Sequence, residues 1–177
     1  MNIKNKLRNS IIRLFNCFNF HYLFGSTNKF QLRVLILHSI KNKKKLNNLL
    51  AHLKQKWEFI NPDEFFDFID KKRSLTKSSL LITFDDGFKD NLEILPILDK
   101  YSISALFFVC PALVELESSN KLFFLLTKKL FRSHLNKDYM RLLNWDDLRL
   151  IQSKGHSIGN HSSFHFQVNN LTTKEDI

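Results

Sequence analysis

Ser79-Leu80-Leu81-Ile82-Thr83-Phe84-Asp85-Asp86-Gly87 decides how this chain is read. An apolar run rich in β-formers ends abruptly in two adjacent carboxylates and a glycine. In α/β proteins functional groups gather where strands end and loops begin, so acids at the carboxyl end of a buried strand are catalytic candidates. Adjacent side chains on an extended strand point to opposite faces, which predicts separate environments for Asp85 and Asp86. One could then hold a metal while the other titrates. A plain strand followed by an Asp-Gly turn has the same local sequence, and this stretch alone leaves both readings open.

The segments around it alternate in period. Leu32 to Leu37 reads as a first buried strand, with His38 at its end and a basic loop, Lys41 to Lys45, after it. Residues 46–56 have helical spacing through Leu46, Leu49, Leu50 and Leu53. After Asn61-Pro62 a second short helix is expected from Asp63 to Lys71, carrying Phe65, Phe66 and Ile69. The strand over 79–84 comes next. A helical pattern over 90–101 follows, which Pro96 should kink or restart. Ile103 to Cys110 forms a third strand, and Phe123, Phe124 and Leu130 point to a helical insertion over 117–140. Asn144 caps a helix over 145–154 that stops at Gly155, and a very short strand follows. Alternating strands and helices imply an α/β domain with a largely parallel sheet.

The bulk composition sets limits. A chain of 177 residues with 44% hydrophobic content has room for one domain with a real core. Its 18 Phe and 4 Gly exclude disordered and fibrous classes. Cys17 and Cys110 form no close-spaced pair, which excludes a disulfide framework or zinc ribbon and is compatible with a reducing compartment. Cys110 reads as a small buried hydrophobe. The net charge of +10 is uneven: residues 1–57 hold 12 Lys or Arg and no acid, while the rest carry 15 basic and 17 acidic side chains. The surplus therefore belongs to a leader rather than to the domain.

Within that leader Ile3, Leu7, Ile11, Leu14, Phe15, Phe18 and Tyr22 recur at helical spacing, opposite Lys4, Lys6, Arg8 and Arg13. A basic amphipathic helix over residues 1–29 suits an anionic membrane surface, contacted through residues 1–24. It equally suits packing against the parent domain. Arg13, Asn16 and Asn19 interrupt the apolar region and no small-residue cleavage site follows, so it is not read as a signal peptide. It is also too polar to span a bilayer. The expected location is the cytoplasm or the cytoplasmic face of the membrane. No nucleic-acid motif accompanies the charge, so no nucleic-acid partner is expected.

A second constellation lies at Gly155 to His165. His161 and His165 are four apart, which would place both imidazoles on one side of a helical turn and let them share a metal. His156, directly after the helix-ending glycine, reads as structural. His38, at a strand end, could line a site, whereas His21, His52 and His134 read as surface or partner-satisfied residues. One carboxylate and two imidazoles make a three-ligand set that leaves a position for water, and the second carboxylate supplies the base that such a water needs.

Together these residues resemble the polysaccharide deacetylase family, also called the NodB-homology domain or carbohydrate esterase family 4. Thr83-Phe84-Asp85-Asp86-Gly87 matches its first motif, TFDDG, and His161-Ser162-Ser163-Phe164-His165 matches its second, H-[ST]-x-x-H. Leu95-Pro96-Ile97-Leu98 with Ala105 to Val109, and Leu143 to Leu148 leading to Gly155 to Gly159, resemble the family's surrounding segments. The resemblance covers about residues 30–177. It implies an irregular (β/α) barrel, of which this chain would supply an incomplete N-terminal portion. It implies Asp85 as general base, and Asp86, His161 and His165 as ligands of a divalent metal, usually Zn2+. The implied reaction is hydrolysis of N-acetyl groups from amino sugars of a polysaccharide or lipid-linked glycan precursor, a hydrolase acting on non-peptide C–N bonds.

The family's later motifs carry an arginine, a groove wall with Asp and Trp, and a Leu-x-His whose histidine protonates the leaving amine. They have no counterpart before Ile177. A Thr-x-x-Glu capping box at Thr172–Glu175 announces a helix just before the chain ends. The expectation is a truncated domain with impaired activity, since a missing general acid costs about 10²- to 10⁴-fold in rate. The alternative is a catalytically inactive remnant that binds metal, membrane or a partner.

Overall fold

The acid pair sits at the carboxyl end of a parallel sheet. The computed structural model describes residues 30–116 and 141–165. The leader helix expected over 1–29, the insertion over 117–140 and the capping box at Thr172–Glu175 lie outside the described residues. Strand β1 (Leu32–Leu37) leads to helix α1 (Lys43–Leu53), and a two-residue strand β2 (Glu58–Phe59) to α2 (Pro62–Ile69). Strand β3 (Ser79–Phe84) is followed by a 3-10 helix (Lys89–Ile94) that runs into α3 (Leu95–Lys100). Then come β4 (Leu106–Val109), the short α4 (Pro111–Val114), α5 (Trp145–Ser153) and β5 (Ser157–Asn160).

All four strand pairings are parallel, and the main order is β1-β3-β4-β5. β3 carries β1 along one edge over its full length, from Leu32 opposite Ser79 to Leu37 opposite Phe84. Its other edge takes β2 at Ser79 and Leu80 and β4 at Thr83 and Phe84. All six β3 residues are buried, as expected of a strand covered on both faces, so its sequence is a continuous apolar run rather than an alternation. Phe84 stacks on Phe107 of β4 at 4.9 Å between centroids. Around them pack Leu46 and Leu50 of α1, Ile94, Leu98 of α3, and Leu148 and Ile151 of α5.

Local chemistry explains the helices. Asn61 and Asn144 each form a capping box, with Glu64 and Asp147 respectively returning to the cap N–H, and Pro62 occupies the first turn of α2. Pro96 restarts the helical path, which is 3-10 before Leu95 and α after it. Three expectations need correction. α1 begins at Lys43 rather than at residue 46, because Asn42 caps it by accepting from the Lys45 N–H at 2.9 Å. The third strand is Leu106–Val109 rather than 103–110. β1 is not buried: among the described residues it is the end strand of the order, paired with β3 alone, and leaves Val34 41% and Ile36 57% exposed.

His156 shows its structural role. It enters the sheet after Gly155 (φ +82°), is buried, and its Nδ1 accepts from the Ala105 N–H at 3.1 Å. Its ring meets Phe107 edge-on at 5.5 Å. Burial holds its pKa below the ordinary value, against a smaller opposing pull from Asp99. The folded chain therefore keeps the ring neutral where the unfolded chain takes up a proton, around pH 6.5. Stability from this group is complete above the unfolded value and is lost as pH falls below it, by at most about 1.4 kcal/mol per unit. Denaturant midpoints measured at successive pH values should fall on this acid limb in the native sequence. His156→Asn, which keeps an acceptor towards Ala105, should give a flatter profile, and parallel profiles would place the acid sensitivity elsewhere.

Candidate metal centre

Two loops at the carboxyl ends of the strands build the site. β3 ends at Phe84, and the Asp85 N–H continues the ladder by donating to the Leu37 carbonyl at 2.8 Å. The chain then turns: Asp86 (φ +73°) and Gly87 (φ +69°) are both left-handed. Asp tolerates this region better than most residues because its short polar side chain can bond locally, and glycine occupies it without penalty. Gly87 is needed for a second reason, since a Cβ there would stand 3.0 Å from Val109 Cγ1. On the other loop, the His161 N–H donates to the Val109 carbonyl at 2.8 Å and the Ala112 N–H to the Ser163 carbonyl at 3.3 Å. These bonds fold residues 161–165 across the end of β4, towards Asp86.

The result is a convergence of donor atoms. Asp86 Oδ1 lies 3.0 Å from His165 Nε2 and 3.4 Å from His161 Nε2. Asp86, His161 and His165 each offer a ligand atom within 4.8 Å of the others. The Asp86 side chain is buried, and its Oδ1 accepts no hydrogen bond from the described residues. A buried carboxylate oxygen left in that state is costly, unless its lone pairs serve something other than a protein donor. Burial pushes the Asp86 carboxyl above its ordinary value; His165, His38 and His161 draw it down, and the neighbouring Asp85 adds to the rise. Bonds of about 2.0–2.1 Å to a tetrahedral ion set neighbouring ligand atoms about 3.3 Å apart, and the two observed separations bracket that value. Carboxylate and imidazole donors in this arrangement fit a divalent cation.

The structure brings together the residues that the sequence paired, but with a different local geometry. His161 and His165 are not on a helical turn. They lie in an irregular loop in which Ser162 (φ +62°) and His165 (φ +55°) are left-handed, with imidazole centroids 5.0 Å apart. Asp85 and Asp86 do occupy different environments, half-buried and buried, but the turn at Asp86 separates them rather than strand alternation. His38 is the residue whose partner the sequence left unstated: its Nε2 stands 4.0 Å from Asp86 Oδ2, and its side chain is 56% exposed. The parallel pairing of Leu37 with Phe84 sets the residue after one strand beside the acids after the other, which the sequence alone does not show.

The comparisons with known proteins identify the family and the fold. The family model described as polysaccharide deacetylase matches residues 72–177. No curated protein matches the sequence. Among solved structures the chain is similar to IcaB from Ammonifex degensii, with 20% identity over 77% of this chain and 55% of that one, TM-score 0.59. It is similar to a de-N-acetylase from Aggregatibacter actinomycetemcomitans, with 18% identity, 74% and 53% coverage and TM-score 0.57. It also resembles the Streptococcus pyogenes deacetylase PplD, solved with acetate, at 16% identity, 81% and 60% coverage and TM-score 0.56. The chain thus spans between 53% and 60% of the length of these three proteins. Their likeness is one of fold, an α/β sheet of the NodB type. With both family motifs inside the matched segment and their side chains converging at one end of that sheet, the chain belongs to the polysaccharide deacetylase family.

Proposed function

We propose that this chain removes acetyl groups from N-acetylated amino sugars in a polysaccharide or a lipid-linked glycan, with Zn2+ held by Asp86, His161 and His165. The observation that carries the reading is the buried, unbonded Asp86 Oδ1 facing two imidazole nitrogens at 3.0 and 3.4 Å, in a chain of this family. A bound divalent ion supplies Lewis-acid polarisation of the acetamide carbonyl and a more acidic water. Asp85, half-buried and next to the ligand, takes the proton of the attacking water. The new C–O bond forms at the acetyl carbon, the C–N bond to the sugar breaks, and acetate and a free amine result. The departing nitrogen needs a proton, and His38, exposed and with Nε2 4.0 Å from Asp86 Oδ2, would supply it. A lipid-linked substrate would be met at a membrane surface, to which the charge and periodicity of residues 1–24 are suited.

The test is acetate release from N-acetylglucosamine oligomers by the purified chain. Activity should vanish on chelation and return on adding Zn2+. Absence of release from the Zn2+-loaded, folded chain on oligomers of several lengths would overturn the reading.

A further inference from the structure

The segments that follow His38 and Asp86 line a cavity of about 390 Å³, with Ile40, Lys41, Lys43, Lys89, Asp90, Glu93 and Arg141 in its walls. Its walls are the segments that leave the site. Lys89 is three residues after Asp86 and Lys41 three after His38, and three residues span at most about 11 Å. Arg141 is brought in by its carbonyl, which accepts from the Lys89 N–H at 2.7 Å, next to the Phe88–Leu142 bridge. The cavity is therefore within reach of a group carried on the reacting sugar or its neighbour.

Its charge is what calls for a ligand. Four lining cations face Asp90 and Glu93 of the lining and Asp147 beyond it, which leaves a surplus of one positive charge. Lys43 bonds Glu93 at 2.7 Å and Lys89 reaches Asp147. Asp90 accepts from Ser39, so part of its acceptor capacity is already engaged. The sequence adds to the surplus where it is energetically least welcome: α1 opens with Lys43-Lys44-Lys45 and has no acid in its first turn. Cations at a helix N-terminus oppose its dipole. Deacetylation turns a neutral acetamide into an ammonium, so this lining is poorly matched to an amino-sugar polymer that carries no other charge. It matches an anion attached to that sugar.

Resting on the deacetylase reading, we infer that the substrate carries a phosphate group, seated between Lys41, Lys43, Lys89 and Arg141 while its N-acetyl group lies at the metal centre. Lysine and arginine together suit phosphate, which accepts from several donors at once. A phosphodiester within a polymer and the pyrophosphate of a lipid-linked sugar share this chemistry.

The experiment has a binding arm and a turnover arm, both on the full, Zn2+-loaded chain. Titration followed by NMR or calorimetry should show N-acetylglucosamine 1-phosphate binding at least about tenfold more tightly than N-acetylglucosamine, the scale of one charge-assisted hydrogen bond. That margin should shrink between about 0.05 M and 0.5 M salt as screening grows. The double variant Lys41→Gln/Lys43→Gln should lose it, and Lys72→Gln, whose side chain bonds Asp70 away from the cavity, should keep it. Turnover of an oligomer with an internal phosphodiester and of one ending in pyrophosphate, each against the uncharged oligomer, identifies the phosphate source. Equal affinity for the two sugars, or a margin that survives in the double variant, overturns the inference. Phosphate-dependent binding without acetate release from any oligomer supports the cavity and refutes the deacetylase reading alone.

Discussion

Asp86→Asn should abolish tight Zn2+ binding while leaving the metal-free protein as stable as the native chain, or more so. The two effects have opposite signs for one reason. The Asp86 carboxyl is buried, accepts no hydrogen bond at Oδ1 from the described residues, and is pushed by that burial above its ordinary value. A group held at a cost to the apo fold is understandable as a ligand and hard to understand as a structural contact. Asparagine tolerates the left-handed backbone at this position, so the exchange removes charge without the strain that alanine would bring. Outer-shell partners of a metal are worth about 10- to 100-fold in affinity, so loss of the one anionic ligand should exceed about 100-fold. Thermal unfolding provides the second readout. Zn2+ at a hundred times its Kd stabilises the native chain by about 2.7 kcal/mol, or roughly 5–10 °C for a protein of this size, and the variant should show no such shift. An unchanged Zn2+ shift in Asp86→Asn would remove Asp86 from the metal centre. A variant that melted well below the apo native chain would make it a structural residue.

How much of this was legible beforehand depended on whether the signal was local. The strand over 79–84 was readable because a centre strand covered on both faces must be apolar throughout, and its six buried residues are. The α5 helix was readable to within a residue because Asn144 and Gly155 punctuate it chemically. β2 was not, since two residues paired to Ser79 and Leu80 carry no periodicity of their own. The exposure of Val34 and Ile36 was not either, because β1 has the composition of a buried strand and only its end position in the sheet distinguishes it. At the site, the four-residue spacing of His161 and His165 identified partners without identifying geometry. A helical turn and an irregular loop with two left-handed residues both bring the imidazoles together, and the chain uses the second. The approach of His38 to Asp86 depends on which strands are neighbours, a long-range fact that no window of sequence contains.

Asp85→Asn should retain Zn2+ and lose turnover, by about 10²- to 10⁴-fold, the range expected when a positioned base is removed from a proton transfer. The argument is one of division between adjacent carboxylates. Asp86 is committed inward by the left-handed turn, facing His161 and His165. Asp85 remains half-buried at the strand end, held there by its N–H bond to Leu37, so its carboxylate is the accessible one of the pair. Exchange of oxygen for an amide nitrogen keeps its shape and abolishes its basicity, leaving the three ligand side chains untouched. Zn2+ titration should therefore give the native stoichiometry and affinity, while kcat for acetate release falls and KM changes little. The charge of Asp85 also adds to the rise of the Asp86 carboxyl. Its removal should thus ease ionisation of the ligand and, if anything, favour the metal. Loss of Zn2+ together with loss of turnover would assign Asp85 to the ligand set instead, and full turnover in a Zn2+-loaded variant would end its role as the base.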